Sequence, residues 1–162
     1  MAGQDAAAES FWRFSLMVYS RPGVADALIS LQDHHGHNVN LILYGLWLGI
    51  CESARLDAAK LARAKAAMLE LDHDIVAPLR QLRRALRDHT DPDVRDLRRR
   101  VLTLEITAER RMQARLATSV TRRHDAKRGD RLAIAEANLR LILGADFASP
   151  EVALLRQASA PL

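Results

Sequence analysis

The sequence predicts an all-α protein: a single-domain bundle of about six or seven helices, with one long amphipathic helix over about residues 92–121. Three observations predict it. Ala, Leu and Arg dominate the 162 residues while Gly (7) and Pro (5) are sparse, and such residues lose little conformational freedom in a helix. Apolar side chains recur at three- and four-residue spacing, and no segment alternates as a strand does. Asn, Asp, Gly and Pro fall between the periodic segments, where helices start and stop. A chain of this length can build one core without disulfide or metal support.

Taken in order, residues 1–7 read as a frayed start. A first helix follows over about Ala8–Ser20, with Phe11, Phe14, Leu16 and Val18 as its apolar face. Arg21-Pro22-Gly23 breaks the chain, and Pro22 suits the first turn of a second helix. Val24, Leu28 and Leu31 line that helix, which ends near His35 with Gly36 as a left-handed cap. Asn38 caps a third helix, Val39 to about Arg55, through its side-chain oxygen. This helix is apolar on nearly every side, as an element enclosed by others must be. Asp57 starts a fourth, with Leu61, Ala64, Met68 and Leu71 as its stripe. Pro78 implies a break or kink between it and a helix over about Asp74–Arg87. Asp91 and Pro92 open the long helix, whose seam is Val94, Leu97, Val101, Leu104, Ala108, Met112 and Leu116, coiled-coil-like in spacing. Residues 121–130 read as a polar loop, Arg131–Leu143 as a helix stopped by Gly144, and Pro150–Gln157 as one or two further turns. Residues from about 158 to 162 read as a disordered tail.

Net charge is +4, but it is unevenly spread. Between Pro78 and Arg131 there are 16 Lys and Arg against 8 Asp and Glu, so the rest of the chain is acidic. A basic region attracts acidic proteins, nucleic acid or anionic lipid. No aromatic residue lies between Trp47 and Phe147, which argues against base stacking there. The longest apolar run, Val39–Cys51, has 13 residues where a membrane span needs about 20. The N-terminus lacks the basic start of a secretory signal. One cysteine, Cys51, allows no internal disulfide and reads as a small core residue in a reducing cytoplasm.

Residues 11–49 hold most of the chemically complex side chains. Phe11, Trp12, Phe14, Tyr19, Tyr44 and Trp47 lie there, with His34, His35 and His37 in the run DHHGHN. Imidazoles beside Asp33 could bind a metal or move protons. Asp33 and His37 are four apart and His34 and His37 three apart, but Gly36 ends the helix between them, so the bland reading is a capped turn with solvated histidines. His73, flanked by Asp72 and Asp74, could add a ligand, yet nothing aligns it. No metal and no cofactor is expected. Asn40, set in an apolar helix, needs partners because a buried unsatisfied amide costs about 1–3 kcal/mol. Gln32 or Asp33 of the preceding helix could supply them. Glu105 and Glu109 lack the Glu-x-x-His pattern of di-iron bundles and read as an ion-pair network or a contact to Arg13. Arg80, Arg83, Arg84 and Arg87 fall on one helical face and read as an exposed basic stripe, extended by Arg98, Arg99 and Arg100 and by Arg122, Arg123, Lys127 and Arg128.

At FWRFS, VYSRPGV, LQDHHGHNVNLILYGLWLG and, more weakly, IVAPLRQL, the chain resembles a small all-helical proteobacterial family of unknown function, over residues 10 to about 120. Members often carry Asp where this chain has Asn38, which caps a helix equally well, and Cys where it has Ala27, which argues against required thiol chemistry there. The resemblance implies fold and compartment but no reaction.

Three functional readings follow. The first is a non-catalytic cytoplasmic interaction protein that uses the basic surface to meet a protein or other acidic macromolecule. The second is a small-molecule-binding or enzymatic bundle with a site among the first three helices, formed by Trp12, Arg13, Gln32, Asp33, His34, His37, Asn40 and Trp47. The third, less favoured, is sequence-independent nucleic-acid association through Arg-rich helices. No segment matches a catalytic motif. The long seam could also be covered by a second copy of the chain.

Overall fold

The computed structural model describes residues 2–119 and 128–160, without the side chains of residues 2, 128 and 129. These form eight α-helices and no strand: α1 (Ala2–Tyr19), α2 (Val24–His35), α3 (Val39–Ile50), α4 (Ala58–Leu71), α5 (Ala77–Ala85), α6 (Pro92–Thr118), α7 (Arg128–Leu143) and α8 (Pro150–Ser159). A π-turn, Asp72–Val76, joins α4 to α5 as one bent rod, so the bundle has seven rods. In that turn Ala77 N–H donates to the Asp72 carbonyl, five residues back. The wider turn lets the helix pass into Pro78, which has no N–H to continue a regular ladder.

The expected punctuation is present. Gly36 closes α2 at φ +73, where the absence of Cβ removes the left-handed penalty. The Asn38 side chain accepts from the N–H groups of Asn40 (2.9 Å) and Leu41 (3.2 Å). Asp57 caps α4 through Lys60 N–H and Asp91 caps α6 through Asp93 N–H.

Helix α3 is buried along its whole length and is the axis of one continuous hydrophobic core. Helix α7 packs along one side of it, while α1 lies against α6. Phe11, Tyr44 and Trp47 form an aromatic cluster with ring centroids 5.1–5.9 Å apart.

Several boundaries differ from the sequence reading. Residues 2–7 are not a frayed start but part of α1, because Ala7 packs with no exposed surface. Helix α3 stops at Ile50 rather than near Arg55; Ser53 adopts φ +51 in the turn that follows. Cys51 is exposed at the end of α3, not in the core; desolvation by the protein atoms around its sulfur, with the Glu52 charge adding, pushes its thiol up to about 11. The tail is helical through Ser159, which is buried. The expected 121–130 loop lies mostly outside the described residues, as do Arg122, Arg123 and Lys127; Arg128 already belongs to α7.

The seam of α6 holds at Val101, Ala108, Met112 and Leu116 but departs from the expected one at Leu97 and Leu104. Its buried stripe is Val101, Glu105, Ala108, Met112 and Leu116, whereas Leu97 and Leu104 are exposed. A carboxylate displaces a leucine from the inward face because two guanidiniums are waiting to neutralise it.

Candidate functional site

Five helices each turn one face toward a common cavity of about 430 Å³. Helix α1 gives Trp12, Ser15, Leu16 and Tyr19; α2 gives Ile29, Gln32 and Asp33; α3 gives Val39, Asn40 and Leu43. Helix α5 gives Arg80, Arg83 and Arg84, and the turn after it Arg87; α6 gives Leu102, Glu105, Ile106, Glu109 and Gln113. Most of these spacings are three or four, the repeat that keeps side chains on one face of a helix. The volume falls within the range of about 300–1,000 Å³ typical of small-molecule sites.

The cavity holds a layered ion-pair system. Glu105 is nearly fully buried, its side chain 5% exposed. Both its oxygens are engaged: Arg80 Nε donates to Oε1 (3.2 Å), and Arg83 donates to Oε2 through Nε and to Oε1 through its terminal nitrogen (3.2 Å). Arg80 also donates to Glu109 Oε1 at 2.8 Å. The other Glu109 oxygen has no protein donor among the described residues. Burial pushes the Glu109 carboxyl above its ordinary range, outweighing the attraction of Arg80. The Tyr19 phenol is raised by burial and by the Glu109 charge. At the mouth, Arg84 donates to both oxygens of Asp33 (2.9 and 3.2 Å), and with Gln32 it holds that carboxyl below its usual value.

Beneath the charges lies an uncharged relay. Ser15 Oγ has two acceptors for its one proton, the Phe11 carbonyl at 2.9 Å and Gln113 Oε1 at 3.2 Å, and Gln113 Nε2 donates to Asn40 Oδ1 (2.7 Å). It ties α1, α6 and α3 at the cavity floor. The Asn40 amide NH₂ has no acceptor among the described residues, and Asn40 lines the cavity.

The residues singled out from sequence therefore divide. Trp12, Gln32, Asp33 and Asn40 converge with Arg80, Arg83, Arg84 and Arg87 on one cavity, which joins the two groups that the sequence kept apart. The partners expected of Asn40 are corrected: it bonds Gln113, while Gln32 donates to Asp33 (3.2 Å). The basic stripe is corrected too. Arg80 and Arg83 are only 16% and 20% exposed, because α5 turns them onto the α6 carboxylates. Arg13 points outward and pairs with Glu9 (2.9 Å). Trp47 has no exposed surface and donates through Nε1 to Ser10 (3.1 Å); it belongs to the core.

The histidines stand apart from the cavity. His34 meets the Ser30 hydroxyl at 3.3 Å. His35 Nδ1 and His37 Nε2 bond the two oxygens of Asp146, at 3.0 and 2.8 Å, and hold that carboxyl below its usual value. His73 pairs with its neighbour Asp74. Among the described residues no group of three His, Cys, Asp or Glu is placed to hold a metal ion.

Leu16, Tyr19, Ile29, Leu43, Leu102, Ile106 and Gln113 were missed as site residues. Their signal was present as partly polar stripes on α1 and α6, but only the packing of five helices shows that the stripes face one another.

Fold and site together define an all-helical protein with an interhelical pocket of mixed polar and apolar lining, in which no helix of the described residues is long and apolar enough to cross a membrane. The chain belongs to DUF2390, a family described as proteins of unknown function, which it matches over residues 10–116. Every residue lining the pocket falls inside that stretch. No curated protein and no solved structure matches the chain.

Proposed function

We propose that this protein is a small-molecule-binding helical bundle whose ligand occupies the α1–α2–α3–α5–α6 pocket. The observation that carries the reading is the polar chemistry left unmet there. The Asn40 amide NH₂ and one oxygen of the half-buried Glu109 face a cavity instead of a protein partner among the described residues, and a ligand with complementary groups can bond them there. The single cysteine fits a reducing cytoplasm.

The test is an NMR screen of the full chain against small fragments that are anionic, cationic and neutral. Shifts are expected to concentrate on Trp12, Asn40 and Gln113. They should disappear in Ile106→Trp, whose larger side chain fills the mouth. A screen in which no fragment moves those resonances overturns the proposal.

An interaction role through basic residues is the second reading. Arg87 and Arg111 are exposed and have no carboxylate partner among the described residues. Arg80, Arg83 and Arg84, however, already pair with carboxylates and line the pocket, so they do not form a free outward stripe for a macromolecular partner. A salt-dependent partner recovered by pull-down, and lost in Arg87→Gln/Arg111→Gln, would favour this reading.

A further inference from the structure

We infer that the pocket takes an organic anion with an apolar tail, its carboxylate or phosphate head held by Arg83, Arg84 and Arg87 and its tail lying along Trp12, Leu16 and Ile106. This rests on reading the pocket as a ligand site, and names the class of ligand.

The head is argued from hydrogen-bond capacity. A guanidinium carries five N–H donors in a fixed fork suited to carboxylate and phosphate. Arg83 spends its Nε and one terminal nitrogen on Glu105, and the other terminal nitrogen has no acceptor. Arg84 gives a single terminal nitrogen to Asp33, leaving Nε and the second terminal nitrogen without one. The Arg87 side chain has no partner among the described residues. These donors sit at the C-terminal end of α5 and in the turn that follows it, and line the same cavity.

A cation finds less. Glu105 already accepts three N–H bonds from two arginines and Asp33 is held by Arg84 and Gln32. Only one Glu109 oxygen remains, on a carboxyl that burial moves toward its neutral form. With four arginines against three carboxylates the lining carries an excess of positive charge, and protonation of Glu109 increases it.

The tail is argued from the rim. Leu16, Ile29, Leu102 and Ile106 are 38–53% exposed yet line one cavity, so they form a contiguous apolar patch and not scattered surface residues. The α1 stretch from Trp12 to Tyr19 runs about 10 Å at about 1.5 Å per residue, and the arginines of α5 and its closing turn line the opposite side of the same cavity. The cavity is thus a trough with a cationic wall facing apolar walls. It suits a short linear amphiphile, its head on one wall and its chain along the others.

The experiment is titration of the full chain with octanoate, octyl phosphate, octyltrimethylammonium and octanol below micelle-forming concentrations, read by calorimetry and by NMR shifts at Trp12 and Asn40. Octanoate or octyl phosphate is expected to bind at least tenfold tighter than the other two, and the better of the pair identifies the head as carboxylate or phosphate. The double variant Arg84→Gln/Arg87→Gln should weaken anion binding about tenfold or more, the loss of one charged hydrogen bond or more. Arg111→Gln, off the pocket, should leave it unchanged. If the ammonium or the alcohol binds the pocket as tightly, the anion assignment is overturned while the ligand-site reading stands. If no octyl compound moves pocket resonances although fragments do, the amphiphile is overturned alone. If fragments also fail, both readings fall.

Discussion

On the α7 side of α3, Asn138 is fully buried and fully used. Its Nδ2 donates to the Gly45 and Ala54 carbonyls at 3.0 Å each, and its Oδ1 accepts from Leu56 N–H at 2.8 Å. Gly45 and Gly49 bring the two helices close there; a Cβ added at Gly49 would overlap the Ala135 backbone. On the other side of the same helix, Asn40 makes one side-chain bond to Gln113 and faces a cavity with its NH₂. The two buried asparagines thus do different work. One closes a structure with the chain's own backbone groups. The other stands where those groups run out, and that difference is what marks a site.

The comparison can be broken at the closed face first, where the largest effects are expected. Asn138→Leu leaves one buried N–H and two carbonyls without partners, and should cost about 3 kcal/mol or more in denaturant unfolding. Gly49→Ala should cost about as much, since backbone cannot move aside as a flexible side chain can. A loss under about 1 kcal/mol for both would mean that the α3–α7 contact is looser than its geometry indicates.

At the open face the two carboxylates should separate. Glu105→Gln removes the charge that holds Arg80 and Arg83 and should destabilise by about 2 kcal/mol, less than a fully buried pair because both arginines retain some water contact. Glu109→Gln should lie within about 0.5 kcal/mol of the parent at neutral pH, because burial already opposes its charge. The sign follows from linkage. A carboxyl raised in the folded state contributes stability that is present below its ordinary value of 4.5 and is lost as pH rises through the raised value. Relative to the parent, Glu109→Gln should therefore gain melting temperature between pH 4 and pH 7. A constant difference over that range would show that Glu109 is not held toward its neutral form.

The smallest effect belongs to the exposed clamp of His35 and His37 on Asp146. The lowered Asp146 carboxyl contributes stability above its ordinary value of 3.8, which fades as pH falls through the lowered one. Asp146→Asn should lower the melting temperature slightly at neutral pH and lose that difference in acid. It should leave the octyl titrations unchanged, since the clamp lies outside the pocket.

The bundle's elements were legible in the sequence because their signals are local. Gly36, Asn38, Asp57 and Asp91 act within a few residues of themselves, and the stripes of α2 and α4 repeat at the helical period. The α6 seam was less legible. Leu104 and Glu105 are neighbours, and hydropathy alone turns the leucine inward; the arginines that reverse the choice lie 22 and 25 residues earlier on another helix. The same limit affected the site. Trp12, Gln32, Asp33 and Asn40 stood out as polar or aromatic residues in unusual company, and the α5 arginines as a charged row. That they form one cavity depends on a pairing that no spacing encodes.

Sequence alone thus determined the all-α class, the caps and the central place of α3, since composition, capping chemistry and all-round apolarity act through the chain's own neighbours. Tertiary structure decided which faces met: that α7 closes one side of α3 with Asn138, and that α5 turns its arginines onto Glu105 and Glu109. Burial and charge pairing depend on residues far apart in the chain, and only the fold brings them within reach of one another.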